Sequence, residues 1–449
     1  MKKIIVKNTY NVKIKGKPSL NLKEVKDGLE FAVMPSSISL IKPKLHVKEG
    51  DSVKIGTPIF FDKQDPRIQF CSPVSGKIKE IIYGKRRALD AVIITKDKVE
   101  KEESFNTYSS KEIQKEDRNK LVEYLLSAGL WPLLQAYPFK NIPKPEDVPP
   151  AIYVTIDNDE AFMPQSEVYV KAYEEELKLG LELLKKIANN NVFVGYKEGN
   201  KEIEKRLSGY LTHELCGDYP SNNPGIFLYY NKTSSKDNKS WGITGLNVAR
   251  LGALCKTGKY PIERIITIGG PLATSPCHIK TREGIALSQI DEDRKKIDNM
   301  RYVAGGLLTG RNAGQKGFLG YNEFSLNIIQ EGSDPELLTW MRGGLNKATI
   351  SNAYLSALIP NTPQNITSSL NGGDRSCIAC GYCATVCPTG IYPQLLMKSI
   401  KAGDIEESIA LGLLDYVDAG LCTYVCPSKI DIDHIISEAK QKLAREALS

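Results

Sequence analysis

The sequence predicts an α+β multidomain fold, and three observations carry that prediction. A chain of 449 residues exceeds what one hydrophobic core serves and points to about three domains. Its pattern then changes along its length, from short β-type runs between Leu40 and Lys96 to helical periodicity after Ser166. Beyond Trp340, short helical segments gather around six of the ten cysteines. With 41% hydrophobic and 25% charged residues, the chain has ample capacity to form cores.

Taken in order, Val53 and Ile55 alternate with polar neighbours, as does Ile78, which marks half-buried strands between the turns at Gly50-Asp51, Gly56 and Ser72-Pro73. The Lys/Glu-rich stretch from Lys96 to Arg118 reads as a linker. Asn119 to Gly129 reads as a helix, and a Pro-rich segment follows at Pro143 to Pro150. Ile152–Ile156 reads as a strand. From Ser166 to Asn189, Tyr173, Leu177, Leu181, Leu184 and Ala188 recur at helical steps and predict one amphipathic helix. Asn191–Gly195 is again a strand, so this region is an α/β unit. Gly269-Gly270-Pro271 and Gly305-Gly306 close two further strands and read as tight turns of a small β-rich domain rather than as a ligand cradle. Pro393–Lys401, Asp404–Leu413 and Asp431–Ala447 have the lengths of short helices.

Composition excludes several functions. The net charge of +7 is spread along the chain, without a basic stripe carrying aromatics, so no nucleic-acid partner is expected. No run approaches the ~18 consecutive apolar residues of a spanning helix, which predicts a cytoplasmic chain. Neither a G-x-G-x-x-G nor a G-x-x-x-x-G-K-[ST] loop occurs, and the nearest approach, Gly252 to Lys259, has the wrong spacing. His46, His213, His278 and His434 lack metal-ligand spacing, and Cys71, Cys216, Cys255 and Cys277 read as scattered buried thiols.

The remaining cysteines are patterned. Cys377-Ile-Ala-Cys380-Gly-Tyr-Cys383-Ala-Thr-Val-Cys387-Pro388 is the C-x2-C-x2-C-x3-C-P run with which ferredoxins hold a [4Fe-4S] cluster. Zinc is the competing reading, but zinc ribbons separate two C-x2-C pairs by a long loop. A second fragment, Cys422-Thr-Tyr-Val-Cys426-Pro427, repeats the last half of the run and places Tyr416 and Ala419 where its first two cysteines would stand. In two-cluster ferredoxins the fourth cysteine of each run serves the other cluster. Counted crosswise, Cys377, Cys380, Cys383 and Cys426 hold one cluster, while Cys387 and Cys422 alone fall short of a second. Cys387 stays open as the alternative fourth ligand.

The G-D-x-V-x-x-G stretch at Gly50–Gly56 and the S-P-V-x-G turn at Ser72–Gly76 resemble the barrel-sandwich fold of biotinyl and lipoyl carriers. No Met-Lys-Met tip is present, so the likeness is structural. Val74-Ser-Gly76 with Gly84-Lys-Arg-Arg87, Gly269-Gly-Pro271, Leu308-Thr-Gly310, Phe318-Leu-Gly320-Tyr, Gly344-Leu-Asn346-Lys347 and Leu421-Cys-Thr-Tyr-Val-Cys426-Pro form an ordered set. Together they resemble the NqrA family, a component of the sodium-pumping NADH:quinone oxidoreductases, over nearly the whole chain. The corresponding component of Rnf complexes and the flavin-carrying NADH subunit of complex I are related.

The resemblance implies a barrel-sandwich hybrid over residues 1–98, a linker over 99–118 and a degenerate Rossmann-like domain over 119–260. A β-grasp domain of the soluble-ligand-binding type (SLBB-like) over 261–338 and a C-terminal α-helical ferredoxin-like domain over 339–449 complete the expected order. It further implies a peripheral subunit on the cytoplasmic face of the inner membrane. The partners would be the other subunits of the complex, with quinone near the subunit interface, and no activity is expected of the isolated chain. Two departures stand out. Where the complex I relative has its glycine-rich loop, this chain has Ser127-Ala-Gly-Leu-Trp-Pro-Leu-Leu134, so neither FMN nor NADH is expected here. NqrA chains have largely lost the cluster cysteines, which this chain keeps as the Rnf relative does, so one [4Fe-4S] cluster is expected. The alternatives are an electron-transfer subunit of an Rnf-type complex, or a docking subunit with zinc or an empty cysteine site.

Overall fold

The computed structural model describes residues 1–25, 28–290, 299–332, 343–345, 354–359, 363–369 and 373–448. The expected boundary at 338–339 and the motif residues Asn346 and Lys347 lie outside them.

Near the N-terminus, Glu30–Val33, Leu89–Lys96, Gly76–Tyr83 and Ser52–Val53 form an antiparallel sheet. A second antiparallel sheet of Pro43–Leu45, Pro58–Asp62 and Asp65–Cys71 shares its core. Period-two alternation puts Ile78, Val92 and Ile94 of one sheet in that core with Phe60, Ile68 and Phe70 of the other. The Phe60 and Phe70 rings stack at 4.5 Å. The sequence predicts one unit over residues 1–98, yet the first two strands pair elsewhere. Lys2–Ile5 runs parallel to His213–Cys216, and Ser19–Glu24 runs parallel to Cys277–Arg282. A strand without a neighbour in its own unit satisfies its backbone on a free edge of another sheet.

The α/β unit is an open sheet ordered Lys2–Ile5, His213–Cys216, Val192–Lys197, Ile152–Thr155, Trp241–Thr244 and Gln135–Ala136, parallel except for the last pair. Both faces are covered. Ile152 and Val154 join Leu177, Leu181 and Leu184 in one core, while Tyr153 between them joins Leu215 and Phe227 in another. The predicted single helix from Ser166 to Asn189 is instead two, Ser166–Ala172 and Glu174–Ile187, broken at Tyr173 (φ −128°, ψ 35°). The break lets the first piece pack toward Lys201–Arg206 and Ser19–Glu24 while the second packs on Gly245–Thr257.

Those last two helices meet through glycines. A Cβ on Gly252 would stand 1.7 Å from the Glu176 carbonyl oxygen, and one on Gly180 would stand 2.2 Å from that of Val248. Gly252→Ala is therefore expected to force the helices apart and cost about 3 kcal/mol, the upper end for overpacking. Urea unfolding checks this; a loss under about 1 kcal/mol would show that the crossing yields easily.

The polar stretch read as a linker over 99–118 is a strap fixed to both neighbours. Ile55 and Glu102 form a bridge, Phe105 N–H donates to Gly258 O, and Tyr108 N–H donates to Cys255 O, both at 2.8 Å. Its polarity reflects one exposed side, while its backbone is paired. A mixed sheet follows, ordered Arg311–Asn312, Met300–Ala304, Ser325–Gln330, Glu263–Gly269, Cys277–Arg282 and Ser19–Glu24. The chain ends in helices Tyr382–Thr385, Pro393–Ala402, Ile405–Ala410, Leu421–Val425 and Ile432–Leu448 around a core of Leu396, Leu413, Tyr416, Leu421, Val425 and Ile436. Tyrosines dock this unit on the α/β unit: Tyr219 donates to Ala419 O at 2.7 Å, Tyr230 to Pro388 O at 2.8 Å and Tyr229 to Thr389 O at 2.9 Å.

Candidate metal centre

The two cysteine runs are structural repeats. Gly381-Tyr-Cys383-Ala-Thr-Val-Cys387-Pro388 and Gly420-Leu-Cys422-Thr-Tyr-Val-Cys426-Pro427 share the pattern G-x-C-x-x-V-C-P. Each opens a short helix after a left-handed glycine, Gly381 at φ 79° and Gly420 at φ 71°. The helices Tyr382–Thr385 and Leu421–Val425 pack together. Cys383, Cys387, Cys422 and Cys426 are buried, Cys377 is half-buried and Cys380 is exposed.

Backbone pairing fixes which sulfurs are neighbours. Arg375 N–H donates to Ser428 O at 2.8 Å and Ser428 Oγ donates to Ser376 O at 2.9 Å, so the segment leading into Cys377 lies beside the one leaving Cys426. Burial pushes the Cys383 thiol up to about 11, and the Cys380 and Cys426 sulfurs act on it from nearby. The Ala379 N–H points at Cys377 Sγ from 3.4 Å. Burial also raises the Cys422 and Cys387 thiols, Cys422 well above its ordinary value with Asp433 and then Cys387 adding to it, and the Cys422 thiol donates to Cys383 O at 3.8 Å. Where the second run lacks cysteines, Tyr416 and Ala419 are buried, and the Tyr416 hydroxyl donates to Asp433. Asp433 also accepts from Gly420 N–H at 3.0 Å and Thr423 N–H at 2.9 Å.

Donor spacing separates two metals. Tetrahedral zinc at ~2.3 Å from each sulfur holds its ligands within about 4 Å of one another. Among the described residues no three of these sulfurs come within 4.8 Å. A cubane binds each thiolate to a different iron and so spaces its sulfurs more widely than one zinc ion does. The one compact donor group found among the described residues, Glu198, Glu214 and Cys216, has the Lys3 ammonium paired to Glu198.

Two clefts lie where an open α/β sheet binds ligands, beyond the carboxyl ends of its strands. One, of about 750 Å³, is lined by Asp157, Glu167, Lys197 and Asn200. The other, of about 450 Å³, opens where the strand order reverses between Ile152–Thr155 and Trp241–Thr244. The Gly305-Gly306 turn borders it, but the chain's own Glu160 already sits there, accepting from Leu308 N–H at 2.8 Å, Thr309 N–H at 2.9 Å and the Thr309 hydroxyl. The segment in place of a glycine loop is solid core: Leu130, Trp131, Leu133 and Leu134 are buried, and Trp131 Nε1 donates to Pro143 O at 2.8 Å. Among the described residues no helix is long and apolar enough to cross a membrane.

Fold and site together define a multidomain, mixed α/β protein that carries a thiol-rich helical unit. Residues 4–97 match the NqrA N-terminal barrel-sandwich hybrid domain, and residues 116–260 match the NqrA second alpha/beta domain. The NqrA component of the Na(+)-translocating NADH-quinone reductase of Vibrio atlanticus is 30% identical over 446 residues, covering 99% of this chain and all of the relative. Its counterparts in Vibrio parahaemolyticus and Hahella chejuensis are each 29% identical over the same coverage. The chain belongs to the NqrA family of the Na(+)-translocating NADH-quinone reductases. Among solved structures, NAD+-reducing [NiFe]-hydrogenase in the air-oxidized state overlaps 53% of each chain at 11% identity with a TM-score of 0.35.

Proposed function

We propose that this chain is an electron-carrying subunit of a Na(+)-translocating NADH-quinone reductase, with one [4Fe-4S] cluster on Cys377, Cys380, Cys383 and Cys426. Family membership supports assembly with the other subunits of the complex, which would carry the NADH site and the sodium pump. The chain sits on the cytoplasmic face, with quinone reached where subunits meet. The domains of this reading are a barrel-sandwich hybrid, a degenerate Rossmann-like unit, an SLBB-type β-grasp and a helical ferredoxin-like unit. The observation that supports the cluster is the Arg375–Ser428 pairing, which brings the backbone just before Cys377 beside the backbone just after Cys426. The cluster would accept and pass one electron at a time, and its ligation would take the proton from Cys383.

Anaerobically purified chain is expected to show the visible absorption of an iron-sulfur cluster, bleached by dithionite, and an EPR signal in the reduced state. Stoichiometric zinc, or neither metal after reconstitution with iron and sulfide, would overturn the reading. Because Trp131 and its neighbours fill the place of a phosphate loop, the same preparation is expected to retain no FMN and to give no saturable heat with NADH. A micromolar NADH affinity by calorimetry would refute that part.

A further inference from the structure

Cys383 is 6% exposed, whereas Cys377 is half-buried and Cys380 is open to solvent. Water can donate hydrogen bonds to an exposed sulfur, but a buried one must find its donors in the protein. One residue meets Cys383 twice. The Cys383 thiol donates to Gln394 Oε1 at 3.0 Å. Burial raises that thiol above its ordinary value, and the backbone N–H groups of Gln394 and Ala384 counter the rise by donating to Sγ. The local sequence explains the placement. Pro393 opens the helix Pro393–Ala402, so the Gln394 N–H belongs to a first turn whose N–H groups have no carbonyl partner within the helix. Tyr392 at the cap gives them no side-chain acceptor. This helix packs against Tyr382–Thr385, which carries Cys383, and its positive end is thereby brought to the sulfur.

Iron ligation reverses one of these contacts. A thiolate has no proton to give and only accepts, so a carboxamide oxygen 3.0 Å away repels it. The glutamine side chain carries a donor as well as an acceptor, and a half-turn of the amide exchanges Oε1 for Nε2 at nearly the same position. We propose that Gln394 raises the reduction potential of the cluster by donating from Nε2, alongside its backbone N–H, to the Cys383 sulfur. The proposal rests on the cluster reading and adds to it the residue that tunes the centre. Reduction places one more electron on iron and sulfur, with no proton moved. Donors at Sγ therefore stabilise the reduced state more than the oxidised one. Away from water each such bond is stronger than at the surface, which gives the buried Cys383 more leverage than Cys380. Gln394 acts through a ligand sulfur and is a positioning residue.

Gln394→Met keeps an unbranched side chain of similar length and the backbone N–H while removing the side-chain donor. Potentiometric titration of the iron-loaded full chain, read by EPR of the reduced state, tests it. Iron content is expected to match the wild type. The reduced-to-oxidised ratio is expected to fall about tenfold at a given applied potential, a midpoint ~59 mV more negative for one electron. Leu395→Ala, on the same helical turn but 44% exposed, is expected to leave the midpoint unchanged. Heavy-nitrogen labelling of glutamine side-chain amides in the wild type is expected to add a nitrogen coupling to the pulsed EPR spectrum, which decides the matter if Gln394→Met does not hold iron. A wild-type chain that takes up no iron would overturn the cluster reading and this proposal with it. Equal midpoints in wild type and Gln394→Met, an equal shift in Leu395→Ala, or no nitrogen coupling would overturn the proposal alone.

Discussion

Cys426→Ser is expected to strip the chain of iron as completely as Cys380→Ser, although Cys426 lies outside the four-cysteine run. Cys422→Ser is expected to leave the iron content nearly unchanged. The argument rests on neighbours. Backbone pairing lays the segment before Cys377 beside the one after Cys426, whereas the buried Cys422 thiol donates to Cys383 O at 3.8 Å and lies near Tyr416 and Asp433. A cluster left with three thiolates loses a full iron–sulfur bond, and in a partly exposed loop such as that of Cys380 nothing else closes the coordination. Iron and sulfide analysis of the three variants, alongside Cys387→Ser, measures the effect. Full iron in Cys426→Ser with loss in Cys387→Ser would make the first run self-contained and make Cys387 the fourth ligand.

The same helical unit shows what occupies the second run where the first has cysteines. Tyr416 and Ala419 stand at the positions of two missing cysteines, and Asp433 anchors the tyrosine hydroxyl and two backbone amides. The cysteine spacing made the repeat legible, but Asp433 carried no signal because a single aspartate at a helix start reads as an ordinary cap.

The strands at Ile152–Thr155 and Val192–Lys197 and the helical stretch between them were readable because hydrophobic periodicity is a local property. The break at Tyr173 was not, because it serves two different packing partners and leaves the apolar spacing on either side intact. The placement of Lys2–Ile5 and Ser19–Glu24 on distant sheets was equally hidden. Both strands pair with residues far along the chain, and edge pairing leaves little mark on composition. The stretch over 99–118 does lie largely between the two matched domains, but its polar sequence gives no sign that its backbone is fixed to both of them. The buried Arg250 and Arg264 did leave a trace. Arg250 is a lone cation inside the apolar run Val248-Ala-Arg250-Leu, and Arg264 stands between Glu263 and Ile265-Ile266, so burial of either demands a partner that sequence does not name.

The buried trio of Arg250, Arg264 and Glu283 supplies the other large expected effect. Glu283→Gln keeps the shape of the side chain but removes the only carboxylate that Arg250 and Arg264 share, so two guanidinium groups stay buried without an anion. Losing one partner of a buried ion pair costs about 3–5 kcal/mol. Arg250→Gln acts in the opposite sense on charge: it leaves Arg264 and Glu283 as a balanced pair and removes Nε and Nη1, buried donors without an acceptor among the described residues, at the cost of one ion pair and a ring contact 5.4 Å from Tyr321. Its loss should be clearly smaller, about 1–2 kcal/mol. The trio joins the helix Gly245–Thr257 to the mixed sheet through Arg250, Arg264 and Glu283, so the change belongs to the unfolding transition that separates those units. In a multidomain chain that transition must be resolved by scanning calorimetry rather than taken from one midpoint. Arg250→Gln costing as much as Glu283→Gln would mean that the excess positive charge is neutralised by a group other than Glu283, and the electrostatic account of this interface would fall.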